Sequence, residues 1–231
     1  MLKADLHLHT SFSPDSSVTV EQVIETCRER GINCIAVTDH GSIEGALKIK
    51  EMAPFKVIVG EEILTAEGEL IGFFLTEKVP GGLTLEETID KIKEQGGLVC
   101  VPHPFDRMRF SAIEREGLYR ITPKIDALEV FNARTPLYYD SEQASAYAHR
   151  HGLPATSGSD AHSIREIGNA YVEIPDFNGP EEFLKSLRQG RVNGQRSSFT
   201  VHMASTRSKL AAKIKRGASR VWHRLVFKRA R

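Results

Sequence analysis

An α/β fold on a mostly parallel sheet is what the sequence predicts, and three observations predict it. Short apolar runs of strand length alternate with longer amphipathic stretches through residues 4–174, the order of successive β-α units. Cap and turn residues stand at the boundaries between them. Polar side chains follow the apolar runs one after another, as functional groups do where strand ends converge on one face of a barrel. An open doubly wound sheet would share the first two features; the third favours a closed barrel.

In chain order, residues 4–9 alternate apolar and polar and read as a strand, and 20–30 carry a helical pattern ending at Gly31. A strand over 32–37, a helix over 42–52 and strand-like runs over 55–59 and 70–75 follow. Residues 84–95 form a helix with Thr84 as N-cap and Glu87 three positions on, a capping box. Strands over 98–101 and 127–131, a helix over 141–151, a short strand near 154–156 and a last strand over 170–174 complete the series.

The bulk numbers exclude several classes. The 231 residues are 26% charged and 40% hydrophobic, enough for a large core without a disulfide framework. The longest apolar stretch, 70–75, is far short of a membrane span. Met1-Leu2-Lys3 leads straight into the first strand with no apolar signal core, so a cytoplasmic location is expected. Cys27, Cys34 and Cys100 are odd in number, lack C-x-x-C spacing and read as buried thiols. The net charge of +1 hides a division: residues 1–195 hold 20 Lys and Arg against 30 Asp and Glu, a net −10, whereas 196–231 hold 11 Lys and Arg and no carboxylate. An acidic globular unit over 1–195 and a basic tail over 196–231 are therefore expected.

The chemistry starts at Asp5-Leu6-His7-Leu8-His9-Thr10. On a strand, His7 and His9 share a face and can hold one metal ion. A lone His-x-His is often only a pair of satisfied core histidines; here it has company. Thr38-Asp39-His40, Gly60-Glu61-Glu62, Pro102-His103-Pro104 and Asp160-Ala161-His162 each set a potential ligand after an apolar run. Imidazole and carboxylate ligands in this mix suit zinc, manganese or iron. Asp39 and Asp5 read as acceptors that orient neighbouring imidazoles.

Through His7-Leu8-His9, Thr38-Asp39-His40-Gly41, Gly60-Glu61-Glu62, Val101-Pro102-His103-Pro104-Phe105 and Gly158-Ser159-Asp160-Ala161-His162, the sequence resembles the polymerase and histidinol phosphatase (PHP) family of metal-dependent phosphoesterases over about residues 1–195. The resemblance implies a distorted (β/α)7 barrel and two to three divalent ions, Mn2+, Zn2+ or Fe2+. It assigns a first metal to His7, His9, Glu61 and Asp160, a second to Asp15, His40 and His162, and a third to Glu61 as a bridge with His103. Where trinuclear members carry a histidine after the bridging glutamate, this chain has Glu69, so the third site would be carboxylate-bound, partly filled or absent.

Such a cluster hydrolyses phosphoesters with a metal-activated hydroxide and needs no protein nucleophile. Arg107, Arg109 and Arg134 are candidates to bind the substrate phosphate, because the guanidinium fork grips two oxygens. His40, His103 and Arg134 are the candidate catalytic groups; His40, His103 or His162 could protonate the leaving group only where free of metal. The expected substrate is a small phosphorylated molecule, namely a nucleotide, a short oligonucleotide or a phosphorylated metabolite. The rival reading is a non-catalytic, metal-stabilised binding or regulatory module.

From Ser208 onward, Leu210, Ile214, Val221, Trp222, Leu225 and Val226 recur at helical spacing among basic residues, a basic amphipathic helix weakened by Gly217. It would dock on the acidic body or a partner subunit, or bind nucleic acid or an anionic surface. No groove of interleaved basic and aromatic residues, as single-strand binders use, is evident in the body's sequence.

Overall fold

The computed structural model describes residues 1–197, and the basic amphipathic helix expected from Ser208 lies outside them. The elements are β1 (Leu2–Leu8), α1 (Val20–Arg30), β2 (Cys34–Val37), α2 (Glu44–Met52), β3 (Lys56–Leu64), β4 (Glu69–Phe73), α3 (Leu85–Glu94), β5 (Leu98–Val101), α4 (Arg115–Ile121), β6 (Ala127–Asn132), α5 (Tyr138–His151), β7 (Ala155–Gly158), β8 (Ala170–Ile174), α6 (Gly179–Leu187) and β9 (Arg191–Gly194). Local chemistry sets the ends of the early helices. Thr19 caps α1 in a capping box with Gln22, and Gly31 closes it in the left-handed conformation (φ 67°). Thr84 and Glu87 form the expected reciprocal box at the start of α3.

The nine strands form one sheet in the order β7-β6-β5-β4-β3-β2-β1-β8-β9. Pairing is parallel for β1-β2, β2-β3, β5-β6 and β6-β7. It is antiparallel for β3-β4, β4-β5, β1-β8 and β8-β9. The sheet is thus mixed rather than seven repeated β/α units: β3 and β4 make a hairpin, and β8-β9 is an antiparallel extension beyond β1.

The sheet nearly closes where β7 meets β1. Asp160 N donates to His7 O at 2.7 Å and His9 N to Ala161 O at 3.0 Å. Gly158 makes the approach feasible, since a Cβ there would stand 2.2 Å from His7 Cβ. Asp5 clamps the same seam: its buried carboxylate accepts the N–H groups of Ser159 and Gly168, both at 2.9 Å. That is a different duty from the imidazole acceptor expected of it.

Two apolar clusters flank the strands. One includes Ile35, Val37, Val59, Val99 and the inner faces of α1, α2 and α3. The other joins Leu6, Ala36, Ile58, Phe73 and Val172 to Phe183 of α6. Helices α4 and α6 and strand β9 went unread in the sequence.

Candidate metal centre

The loops and strand ends on one face of the barrel bring together eight of the nine ligand candidates. His7 and His9 leave the end of β1, with His7 Nε2 3.2 Å and His9 Nε2 3.3 Å from Glu62 Oε2. The same carboxylate lies 3.5 Å from His40 Nε2 and, through Oε1, 2.9 Å from His103 Nε2. Glu62 therefore stands where a bridging ligand would. Asp160 Oδ1 is 3.4 Å from His9 Nε2, and Asp15 Oδ2 is 3.1 Å from His162 Nε2 and 3.7 Å from His40 Nε2. Glu69, the eighth candidate, is 3.6 Å from His103 Nε2 and accepts the Ser111 hydroxyl at 2.6 Å.

Glu61 is the ninth, and the structure corrects its assignment. Its carboxylate turns away from the cluster to accept the Val79 N–H at 2.8 Å. The apolar run over 55–59 suggests a strand that ends before Glu61. In fact β3 runs to Leu64, neighbours on a strand point to opposite faces, and the cluster side belongs to Glu62.

The buried groups compensate one another in charge. Burial alone would push the His9 imidazole down, but the Asp160 and Glu62 carboxylates outweigh it and raise it to about 9. His7 goes up in the same way against burial, through Glu62, Glu129 and Asp160. Burial would raise Glu62, Asp160 and Asp15; the surrounding imidazoles, and Arg109 in the case of Asp160, hold all three well below the usual carboxylate range. His162 is pushed down to about 4 by burial and by the neighbouring His9.

Divalent cations fit this arrangement. Four sets of ligand atoms each lie within 4.8 Å of one another: His9, Asp15, His40 and His162; His7, Glu62 and His103; His7, His9 and Asp160; and His40, Glu62 and Glu69. His9 Nε2, His162 Nε2 and Asp160 Oδ1 are buried, and their nearest polar neighbours are other donors of the cluster, at 3.1–3.4 Å. Donor atoms of this kind packed together away from water are costly, and a metal ion held between them would satisfy several at once. The donors are all nitrogen and oxygen, as zinc, manganese or iron sites use. Two of the donor residues also have backbones in the left-handed region, His103 (φ 32°) and Asp160 (φ 52°), conformations that persist where the surroundings impose them.

Outer contacts orient the ligands. Glu129 Oε1 takes His7 Nδ1 at 3.0 Å, leaving Nε2 for the cluster, while its Oε2 accepts the His103 N–H at 2.8 Å. Asn132 donates to both Glu129 and Asp160. Sequence reading missed Glu129; the available signal was a lone carboxylate inside the apolar run Ala127-Leu128-Glu129-Val130-Phe131. Asp39, expected to orient an imidazole, instead accepts the Thr10 N–H and hydroxyl, both at 2.6 Å, and ties the loop after β1 to the end of β2.

The three candidate arginines part company. Arg109 Nη2 lies 2.5 Å from Asp160 Oδ2, on the side of that carboxylate away from the histidines. Arg134 is buried, with Nη1 2.7 Å from His162 Nδ1 and Nε 3.1 Å from Glu166. Arg107 points outward, pairing with Asp140 at 3.0 Å and covering the Tyr139 ring. Among the described residues no helix is long and apolar enough to cross a membrane.

Against known proteins, residues 5–96 match the model of the PHP domain and 139–192 that of a PHP-associated region. Two uncharacterized proteins of Methanocaldococcus jannaschii are similar in sequence. One is 40% identical over 145 residues, covering 57% of this chain and 82% of its own; the other is 36% identical over 200 residues, covering 81% and 79%. Among solved structures, a two-domain Bacteroides vulgatus protein, provisionally named for a PHP-like metal-dependent phosphoesterase, superposes with a TM-score of 0.68 at 20% identity, over 84% of this chain and 65% of its own. A Bifidobacterium adolescentis protein with the provisional name metal-dependent phosphoesterase gives 0.59 at 19% identity, over 70% and 88%. A Chromobacterium violaceum amidohydrolase with bound sulfate and no metal gives 0.62 at 18% identity, over 83% and 97%. At these identities the structural likeness is one of fold.

Proposed function

The chain belongs to the PHP domain family, and from that premise we propose that it is a metal-dependent phosphoesterase acting on a small phosphorylated substrate. The observation that carries this reading is the largely buried set of five histidines and three carboxylates around Glu62, whose nitrogen and oxygen donors converge within 4.8 Å of one another in four groups. His7, His9 and Asp160 would hold one ion, Asp15, His40 and His162 another, and His103 with Glu69 a third, Glu62 serving as the shared carboxylate. Two or three divalent ions supply a water-derived nucleophile at neutral pH and neutralise phosphoryl charge.

The chain's own residues do the rest. Arg109 and Arg134 bring positive charge to the edge of the cluster, where phosphoryl oxygens would sit. Glu129 and the Asp160 carbonyl hold the His7 and His162 rings through Nδ1, which turns their Nε2 atoms inward, and Asn132 fixes the Glu129 and Asp160 carboxylates in turn. His40 is the most exposed of the clustered histidines, its side chain 21% accessible, and is the candidate to protonate a leaving oxygen where it is free of metal.

The test is hydrolysis by metal-free and by manganese- or zinc-reloaded protein of a chromogenic monoester, a diester, nucleoside bisphosphates and a short RNA. Metal-dependent turnover that falls at least about 100-fold in both His9→Ala and Asp160→Ala is expected. No turnover of any substrate by fully loaded protein would leave the cluster a structural one.

A further inference from the structure

A β/α barrel covers the outside of its sheet with a helix after each strand, and here the last strands lack theirs. Residues 159–169 run from β7 to β8 without a helix, and α6, which joins β8 to β9, sends Phe183 into the cluster of Leu6, Ala36 and Val172 instead. What remains between α5 and β9 is a groove of about 760 Å³, walled by Val130, Phe131, Leu153, Ala155 and Val192. It is open to solvent: all of these but Val130 are only part-buried, and Glu142 and Ser145 of α5 stand exposed along its edge.

The described chain ends at this groove. Strand β9 is parallel to β1, because each is antiparallel to β8, so it finishes on the barrel face that holds the metal cluster, where α5 begins. Arg196, two residues past it, lies over the Phe131 and Tyr138 rings at 5.6 and 3.9 Å, and Ser197 N donates to the Ala133 carbonyl at 2.8 Å. Residues 198–231 therefore continue from one end of an uncovered apolar groove. Among them Leu210, Ile214, Val221 and Leu225 stand at i, i+4, i+11 and i+15, the spacing of one helix face.

We propose that the segment from Ser208 to Val226 packs this apolar face into the groove of its own chain, as the helix that follows β9. The 13 residues from Ser197 to Leu210 span up to about 43 Å, and α5, with 14 residues, is about 21 Å long, so the segment reaches the whole groove. A tether this short gives the groove an effective concentration on the order of millimolar, which favours it over the groove of a second copy. Charge agrees at long range, since residues 1–195 carry a net −10 and 196–231 hold 11 Lys and Arg with no carboxylate. Inside the groove the charges are mixed, Glu142 against Arg188 and Arg196, so apolar contact sets the fit and the cations of the segment face outward. The docked segment lies on the side wall of the barrel and leaves the metal centre open.

The experiment uses Trp222, the only tryptophan of the chain, in the full-length protein. Its emission should be shifted to the blue, and its quenching by acrylamide reduced, relative to the same protein in guanidinium, at every protein concentration and without lipid. Ser145→Arg, which sets a long cation on the exposed edge of the groove, should reverse both changes while the circular dichroism of the body stays the same. Bimane, a thiol-reactive fluorophore that tryptophan quenches on contact, would be attached to Ser145→Cys; Cys27, Cys34 and Cys100 are buried and do not compete for it. Its emission should be quenched in the full chain and recover in Trp222→Phe. Trp222 as open to acrylamide as in guanidinium would overturn the proposal, as would a shielded Trp222 that leaves bimane bright. Shielding that sets in only as dimers form with rising concentration would overturn it in favour of a second copy. Shielding only on addition of phosphatidylserine vesicles would overturn it in favour of a membrane surface.

Discussion

Glu61 and Glu62 are neighbours with opposite fates, and the difference can be measured. Glu62 lies within 3.5 Å of four imidazoles, whereas Glu61 accepts one backbone N–H. Glu62→Gln should lose at least one equivalent of tightly bound metal, read by elemental analysis after gel filtration. Glu61→Gln should keep its full content, because an amide oxygen still accepts from Val79; the opposite pattern would return the bridging role to Glu61. Glu129 is a second case. An amide at that position cannot accept from both His7 Nδ1 and the His103 N–H, so one ligand loses its orientation. Glu129→Gln is expected to weaken metal affinity roughly 10- to 100-fold in a chelator competition. Unchanged affinity would reduce Glu129 to an ordinary buried acid.

Among the elements, the seam between β1 and β7 carries most of the architectural risk. Both strands deliver ligands there, His7 and His9 from one side and Asp160 and His162 from just beyond the other. The backbone contacts that fix them are short: Asp160 N to His7 O is 2.7 Å. A methyl group at position 158 would meet His7 Cβ at 2.2 Å and its backbone N at 2.6 Å, contacts only strand separation can relieve. Gly158→Ala should cost about 1–3 kcal/mol, a fall in melting temperature of roughly 3–10 °C, and should lower metal content with it. A variant that melts with the wild type would show the seam to be looser than these distances. The capping boxes of α1 and α3, by contrast, were legible in the sequence, because a cap depends on residues three positions apart. Strand β3 was read five residues short because Glu61 and Glu62 broke its apolar run, although both are buried.

For the molecule as a whole, the division between an acidic body and a basic C-terminal segment bears on activity. Every side chain assigned to the cluster lies between residues 7 and 162. Removing residues 207–231 should therefore leave hydrolysis of a small phosphoester within about twofold of the full chain, while weakening any attraction to long polyanions, whose binding scales with the number of charges neutralised. A truncated protein that is folded and metal-loaded yet inactive would show that the segment completes the site.

Residue chemistry and its short-range order were open to reading from the chain. Two histidines share a strand face because alternation is local, and nitrogen and carboxylate donors select hard or borderline metals wherever they sit. The motifs around His7, His40, His103 and Asp160 coincide with or follow the ends of β1, β2, β5 and β7. Other facts depend on register and closure, which pair residues remote in sequence. Sheet pairing turned Glu62 rather than Glu61 inward and carried Glu129 under His7 from 122 positions away, while the loop after β5 sent Arg107 out to Asp140 and Arg109 in to Asp160.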